Sequence, residues 1–262
     1  MLADYHIHTS RCGHARGDIA EYLRSAEEIG LAQIGFADHL PLLHKTDPSL
    51  SMSREELSDY VADVRDMAEI GQLPVRLGIE ADFVPETVSE TESILASHPF
   101  DFVLGSVHFI GEWGFDDPRE MAGYEGRDPE DLYEEYFQLV IDAANSGLFD
   151  VLAHPDLIKK FDVLPRLDLR PYYEEVAEAA ADNGLAIEVS TAGLRKPVGE
   201  IYPSLEFLDV CRKQGVAVML GSDAHAPEEV GYHFDQAVDL LESVGYTKTS
   251  VFEQRQRSAL PL

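Results

Sequence analysis

Apolar positions along this chain fall into two periodicities. Short, nearly continuous apolar runs at residues 4–8, 32–37, 75–80, 102–108, 150–153, 186–190 and 216–221 read as strands. The stretches between them carry helical stripes instead. Ile19, Tyr22, Leu23, Ala26 and Ile29 form one that stops at Gly30, and Leu57, Tyr60, Val61, Val64 and Met67 form another that stops at Gly71. Asp18-Ile19-Ala20-Glu21 has the form of a capping box ahead of the first helix, and Ser53-Arg54-Glu55-Glu56 caps the second. Further helices are expected over 87–96, 128–147, 171–183, 204–214 and 234–244, the one at Asp128-Pro129 opening with proline at its first position. Alternating strands and helices imply a parallel sheet joined by right-handed crossovers. Several strands are apolar without alternation, as strands covered on both faces are, and no strand is marked as a polar edge. The expectation is an α/β barrel spanning residues 1–262 as a single domain, a length such barrels reach.

The tips of these runs carry the chemistry. They read Asp4-Tyr5-His6-Ile7-His8, Phe36-Ala37-Asp38-His39, Gly78-Ile79-Glu80, Gly105-Ser106-Val107-His108, Leu152-Ala153-His154-Pro155-Asp156 and Gly221-Ser222-Asp223-Ala224-His225; six of the ten histidines lie in them, and a seventh, His14, follows the first. Only the run ending at Ser190 lacks both an imidazole and an acid at its tip. Barrel chemistry sits at the carboxyl ends of the strands. His6-x-His8 and Asp223-x-His225 have period-two spacing, which turns both side chains of a pair to one side of an extended segment. Imidazoles mixed with carboxylates suit zinc, iron or manganese rather than magnesium or calcium. His6, His8, His14, His39, Glu80, His108, His154, Asp223 and His225 make nine candidate ligands. A structural zinc is saturated by about four, so two or three divalent ions with open positions fit the count. Paired ions suit an in-line displacement. The polar stretch 111–127 is long for a connection and is a candidate active-site loop.

Composition narrows the partners. The formal net charge of −29 repels phosphate backbones and anionic lipid, so no nucleic-acid or membrane partner is expected. No run approaches the roughly 18 apolar residues that span a bilayer. The first residues show no export signal, and Cys12 and Cys211 make no disulfide framework, so a cytoplasmic location is expected. Cys12, although near His14, reads as a small buried hydrophobe.

With only 20 basic residues in the chain, their placement matters. Arg195-Lys196 follows the sixth strand, and Arg195 is the expected phosphate clamp because guanidinium grips phosphate bidentately. Arg11 and Arg16 flank His14, and Lys159 and Lys160 follow the fifth strand as weaker candidates. Asp156, just past His154, could orient an imidazole or meet a substrate amine. His233 could protonate a leaving alkoxide or simply cap the last helix. His44 and His98 lie away from strand ends and read as non-ligands.

The order of these motifs resembles the PHP phosphoesterase superfamily and, within it, the histidinol-phosphate phosphatases. That closer signal is carried by residues 4–15, 34–41 and 105–109, by Ala192-Gly193-Leu194-Arg195-Lys196-Pro197, by Glu200-Ile201-Tyr202-Pro203 and by 221–225. The resemblance implies a distorted seven-stranded (β/α) barrel with a trinuclear centre: His6, His8, Glu80 and Asp223 on one ion, Glu80, His108 and His154 on a second, His14, His39 and His225 on a third. It further implies a bridging hydroxide as nucleophile and hydrolysis of L-histidinol phosphate in histidine biosynthesis. Ser190 stands where the family motif carries asparagine, which bears on how substrate is positioned. A phosphoesterase of nucleotides or other small phosphorylated metabolites is the nearest alternative. An amidohydrolase barrel would call for eight strands and a lysine at a strand tip, and a metal-binding accessory domain would have lost ligands.

Overall fold

The computed structural model describes all residues 1–262. In chain order the strands are β1 (Ala3–Ile7), β2 (Gln33–Phe36), β3 (Val75–Asp82), β4 (Phe102–Ser106), β5 (Phe109–Ile110), β6 (Trp113–Gly114), β7 (Val151–Leu152), β8 (Ala186–Ser190), β9 (Ala217–Gly221), β10 (Lys248–Glu253) and β11 (Gln256–Pro261). The α-helices are α1 (Ile19–Glu28), α2 (Leu57–Ile70), α3 (Val88–Ser97), α4 (Pro129–Asn145), α5 (Arg170–Asp182), α6 (Leu205–Lys213) and α7 (Phe234–Ser243). Helix starts follow the caps expected of them. Asp18 and Glu21 form the reciprocal capping box of α1, Asp128 caps α4 through the Glu130 N–H, and Ser204 caps α6. The Ser53–Glu56 pair also closes on itself, but one turn ahead of α2.

Seven parallel strands pair in the order β1-β2-β3-β4-β7-β8-β9. The sheet curls into a nearly closed barrel whose seam is sealed just beyond β9. There His8 N–H donates to Ala224 O at 2.9 Å and Ala224 N–H to His6 O at 3.1 Å. Asp4 braces the same seam, accepting from Ser222 N–H and Gly231 N–H at 2.9 Å each. No helix is long and apolar enough to cross a membrane.

Apolar residues form two layers. The larger cluster packs helices against the outside of the barrel, as Tyr22, Val64, Phe137 and Phe207 do against Ile34, Ile79, Ile187 and Val218. The smaller fills the interior at the N-terminal mouth: Ala3, Tyr5, Phe102, Ala186 and Met219 meet Val251 and Phe252 of the β10–β11 hairpin. That hairpin was not expected from the sequence, which offered no stripe after residue 244. It plugs the barrel floor. Tyr5 Oη donates to Gln33 Oε1 at 2.8 Å and accepts from Phe252 N–H at 3.2 Å, and Asp101 accepts the Gln254 N–H at 2.9 Å. Phe102 fits the interior because β3 carries Gly78 beside it; a Cβ there would stand 2.2 Å from the ring. The stretch 111–127 is ordered by β6 and a 3-10 turn at Pro118–Tyr124, with the Arg127 guanidinium 4.6 Å from the Trp113 ring.

One irregularity positions the site. Between Asp4 and Ile7, β1 spends one more residue than β2 does between Ile34 and Phe36, which marks a bulge. A bulge re-aims the side chains that follow it. Tyr5 therefore joins the interior cluster and Ile7 the outer one, while His6 and His8 turn toward the C-terminal mouth.

Candidate metal centre

The nine side chains singled out in the sequence converge on the C-terminal mouth, around Glu80. Its Oε2 lies 3.4 Å from His6 Nε2, 3.5 Å from His8 Nε2 and 3.0 Å from His39 Nδ1. Its Oε1 lies 3.0 Å from His154 Nε2 and 3.7 Å from His108 Nε2. Asp223 Oδ1 stands 3.1 Å from His8 Nε2, 3.8 Å from His6 Nε2 and 3.5 Å from His225 Nδ1. His225 Nε2 faces His14 Nε2 at 3.0 Å. Ligands held ~2.1 Å from one tetrahedral ion stand roughly 3.4 Å apart, so these separations suit donors that share cations. His154 and Asp223 adopt left-handed backbone, φ 27° and 52°, which turns both side chains in from the strand ends.

Three of the donor atoms lack hydrogen-bond partners of their own. His6 Nε2, His8 Nε2 and Glu80 Oε2 are buried and unbonded, a cost a protein bears only where something else satisfies them. The outer pair is sharper still. His14 Nδ1 lies 3.0 Å from the carbonyls of Cys12 and Ser49, and His225 Nδ1 lies 3.0 Å from the Asp223 carbonyl. A carbonyl only accepts, so both Nδ1 atoms carry hydrogen and both Nε2 atoms present lone pairs to each other. Burial, with neighbouring imidazoles adding to it, lowers the His14 pKa to about 4 and that of His225 well below the ordinary range, so both are neutral near pH 7. Two facing lone pairs suit a shared cation.

Charge elsewhere in the cluster points the same way. Burial disfavours the His6 imidazolium, but Glu188, Glu80 and Asp223 outweigh it and hold its pKa well above the usual value. Burial likewise opposes charge on His108, and Asp82 with Glu80 overcomes it, raising the pKa to about 10. Burial would raise the pKa values of Glu80 and Asp223, yet the surrounding histidines hold both well below the usual carboxylate range. The carboxylates thus recruit positive charge, which protons supply when metal does not. Buried nitrogen and oxygen donors with unmet lone pairs fit transition-metal ions of the zinc, iron and manganese kind.

Two further carboxylates orient imidazoles and a third lies close to one, none of them chosen from the sequence. Asp82 Oδ1 is 2.9 Å from His108 Nδ1 and Glu188 Oε1 is 2.7 Å from His6 Nδ1. Asp38 accepts from the Thr9 N–H, the Thr9 hydroxyl and the His39 N–H while its Oδ1 lies 3.5 Å from His8 Nδ1. Glu188 was legible in one respect: an acid in the middle of an otherwise apolar central strand is rarely there without a partner.

The basic candidates divide. Arg195 lies at the mouth, its Nη2 donating to the carbonyls of Ser222 and Asp223 at 2.9 Å, its guanidinium 5.0 Å from the Tyr232 ring, and its buried Nη1 unbonded. Lys196 is half-buried beside it, and burial lowers its ammonium pKa below that of ordinary lysine. Lys160 is tied to Asp116, donating to its carbonyl at 2.7 Å and its carboxylate at 3.0 Å. Lys159 is buried between Asp156 at 2.8 Å and Glu200 at 2.7 Å. That engagement, with the Ser204 N–H at 2.8 Å, accounts for one Asp156 oxygen. Arg11 is held by Asp63 at 2.5 Å, and Arg16 is exposed and paired with Glu228. Ser190 spends its hydroxyl on the Ala192 N–H. His233, 43% exposed, packs on Tyr232, meets the Gln236 amide and immediately precedes α7 without capping it. Tyr202, unremarked as a site residue from the sequence, is buried with its hydroxyl unbonded near Lys159.

The chain matches the model of the PHP domain over residues 4–192. It is 43% identical to a probable histidinol-phosphatase of Deinococcus radiodurans over 97% of this chain and 98% of that protein. Identity to the histidinol-phosphatase of Bacillus subtilis is 28%, across 88% of this chain and 96% of that protein. In fold it superposes on the crystal structure of the Lactococcus lactis histidinol phosphate phosphatase, which holds zinc, L-histidinol and phosphate, with a TM-score of 0.84, 21% identity and 98% of each chain covered. A metal-binding geometry at the mouth of a seven-stranded barrel and these likenesses agree: the chain belongs to the PHP family, among its histidinol-phosphatases.

Proposed function

We propose that this chain, acting as one domain in the cytoplasm, hydrolyses L-histidinol phosphate to L-histidinol and inorganic phosphate. His6, His8, Glu80 and Asp223 would hold one divalent ion, Glu80, His108 and His154 a second, and His14, His39 and His225 a third. When bound, zinc, iron or manganese would supply Lewis-acid charge on the phosphoryl oxygens and lower the pKa of a water. Glu80 offers one oxygen to each of two groups of imidazoles, which suits it to bridge. Arg195, whose Nη1 is buried and unbonded, and Lys196 would clamp phosphate oxygens through charge-assisted hydrogen bonds. Water's oxygen goes to phosphorus, the ester P–O bond breaks and the leaving alkoxide takes a proton. His233, the candidate donor of that proton, is exposed beside Tyr232, the ring that the Arg195 guanidinium also meets.

The observation that supports the reading most is the pair of neutral imidazoles whose Nε2 atoms face each other at 3.0 Å beside the Glu80 cluster. The test is phosphate release from L-histidinol phosphate, from nucleoside monophosphates and from p-nitrophenyl phosphate, with Mn²⁺ or Zn²⁺ supplied. A strong preference for L-histidinol phosphate is expected. Comparable or faster turnover of the other esters would leave a phosphoesterase but overturn the assigned substrate.

A further inference from the structure

β8 is where the ligand pattern breaks, with no imidazole at its tip. Its one acid, Glu188, is fully buried in mid-strand. Its two oxygens nevertheless reach two different ligands. Oε1 is 2.7 Å from His6 Nδ1, and Oε2 accepts the His154 backbone N–H at 2.8 Å. We infer that Glu188 is a positioning residue that, from the strand carrying no ligand, fixes the donor atom of His6 and the backbone of His154, and so governs the binding of two neighbouring ions.

The direction of the hydrogen bond fixes the tautomer of His6. A carboxylate accepts only, so once metal displaces its second proton the His6 imidazole keeps its hydrogen on Nδ1 and presents the Nε2 lone pair. Nε2 is the atom that faces Glu80 Oε2 at 3.4 Å and Asp223 Oδ1 at 3.8 Å. The second oxygen acts on backbone. His154 sits at φ 27°, a conformation disfavoured for a residue with a Cβ. A buried charge-assisted bond to its N–H offsets that strain and keeps Nε2 on Glu80 Oε1 at 3.0 Å.

Reach is made possible by Gly221. On β9, which lies next to β8 on the way to β1, a Cβ at Gly221 would stand 2.0 Å from Glu188 Oε1 and 2.7 Å from His6 Cβ. The bare glycine is the opening through which Glu188 meets His6. Asp82 shows by contrast the simpler arrangement, one oxygen on one imidazole. Glu188 joins ligands that the proposed function gives to separate ions, and the inference rests on that reading.

Glu188→Gln tests it, because the amide keeps size but has one accepting oxygen and cannot receive both N–H groups. Protein stripped with chelator and titrated calorimetrically with Mn²⁺ or Zn²⁺ should show affinity for at least one ion reduced ~10–100-fold. Its metal-to-protein ratio after gel filtration should fall, while the thermal midpoint in excess metal stays near that of the unaltered protein. Glu188→Asp, with both acceptors on a shorter stem, should recover part of the affinity that Glu188→Ala loses. Unchanged affinities and stoichiometry in Glu188→Gln would overturn the inference. So would a lowered thermal midpoint of the metal-free protein with affinities intact, the mark of a purely structural ion pair. Failure of the unaltered protein to bind either metal would overturn both this inference and the proposed function, so the two failures are separable.

Discussion

The two mouths of the barrel are made of opposite materials. At the N-terminal mouth Tyr5, Phe102, Met219, Val251 and Phe252 pack without polar remainder, and the Tyr5 hydroxyl, the one polar group among them, is bonded on both sides. At the C-terminal mouth buried His6, His8 and Glu80 keep atoms with no partner, and two imidazoles point lone pairs at one another. An interior that was selected for stability alone would have paired or removed those groups. The β10–β11 hairpin closes the floor against the apolar cluster of the N-terminal mouth. Two of the rim residues even sit on left-handed backbone, strain that surrounding packing has to offset.

Substitutions at the two ends should therefore fail in different ways. Glu80→Ala removes the carboxylate facing both groups of imidazoles, and hydrolysis of the phosphate ester should fall at least about a thousandfold while near-UV circular dichroism stays that of a folded barrel. Near wild-type turnover in this variant would break the comparison at its upper end. Phe252→Ala, on the floor, should cost about 3–5 kcal/mol of stability, read as a lower urea midpoint, and leave turnover per folded molecule unchanged. An equal loss of turnover at low denaturant would show that floor and rim are not separable.

A smaller effect sharpens the contrast through protons. In the metal-free rim burial opposes charge on His6 and His108, but the carboxylates prevail, so both hold protons at neutral pH, with His108 doing so up to about 10. Metal must displace those protons, so binding at pH 7–8 should release them, and apparent affinity should rise with pH through the range below about 10. His14, neutral above about 4, should contribute none. Calorimetric titrations in buffers of different ionisation heat would count the protons. Binding without proton release would mean that the carboxylates do not recruit charge as described.

How much of this was legible in the sequence differs between the same two ends. The rim was readable because its residues are chemically conspicuous and fall at strand tips. The barrel strands and helices were readable because their stripes and caps are local, as with the Asp18–Glu21 box. The hairpin was not: the β11 sequence Gln256-Arg257-Ser258-Ala259-Leu260-Pro261 is largely exposed and lacks an apolar stripe. Its value comes from Val251 and Phe252 meeting residues almost the whole chain away. Spacing also could not say which cations are already engaged. Arg11, Arg16 and Lys160 stand close to ligands in sequence, yet the fold brings Asp63, Glu228 and Asp116 to them. Glu188 carries no strand-tip signal, because its side chain works from mid-strand through the space left by Gly221.

Whether these nine side chains build a metal centre at the rim is decided by locating the ions. Crystals of protein loaded with Mn²⁺ or Zn²⁺, measured on either side of the metal's absorption edge, would give each ion's position from its anomalous signal. Two or three peaks are expected within bonding distance of His6, His8, Glu80, His108, His154 and Asp223, with His14, His39 and His225 around the outermost. A loaded crystal with no peak at this mouth, or with ions held only by surface carboxylates, would contradict a metal centre there.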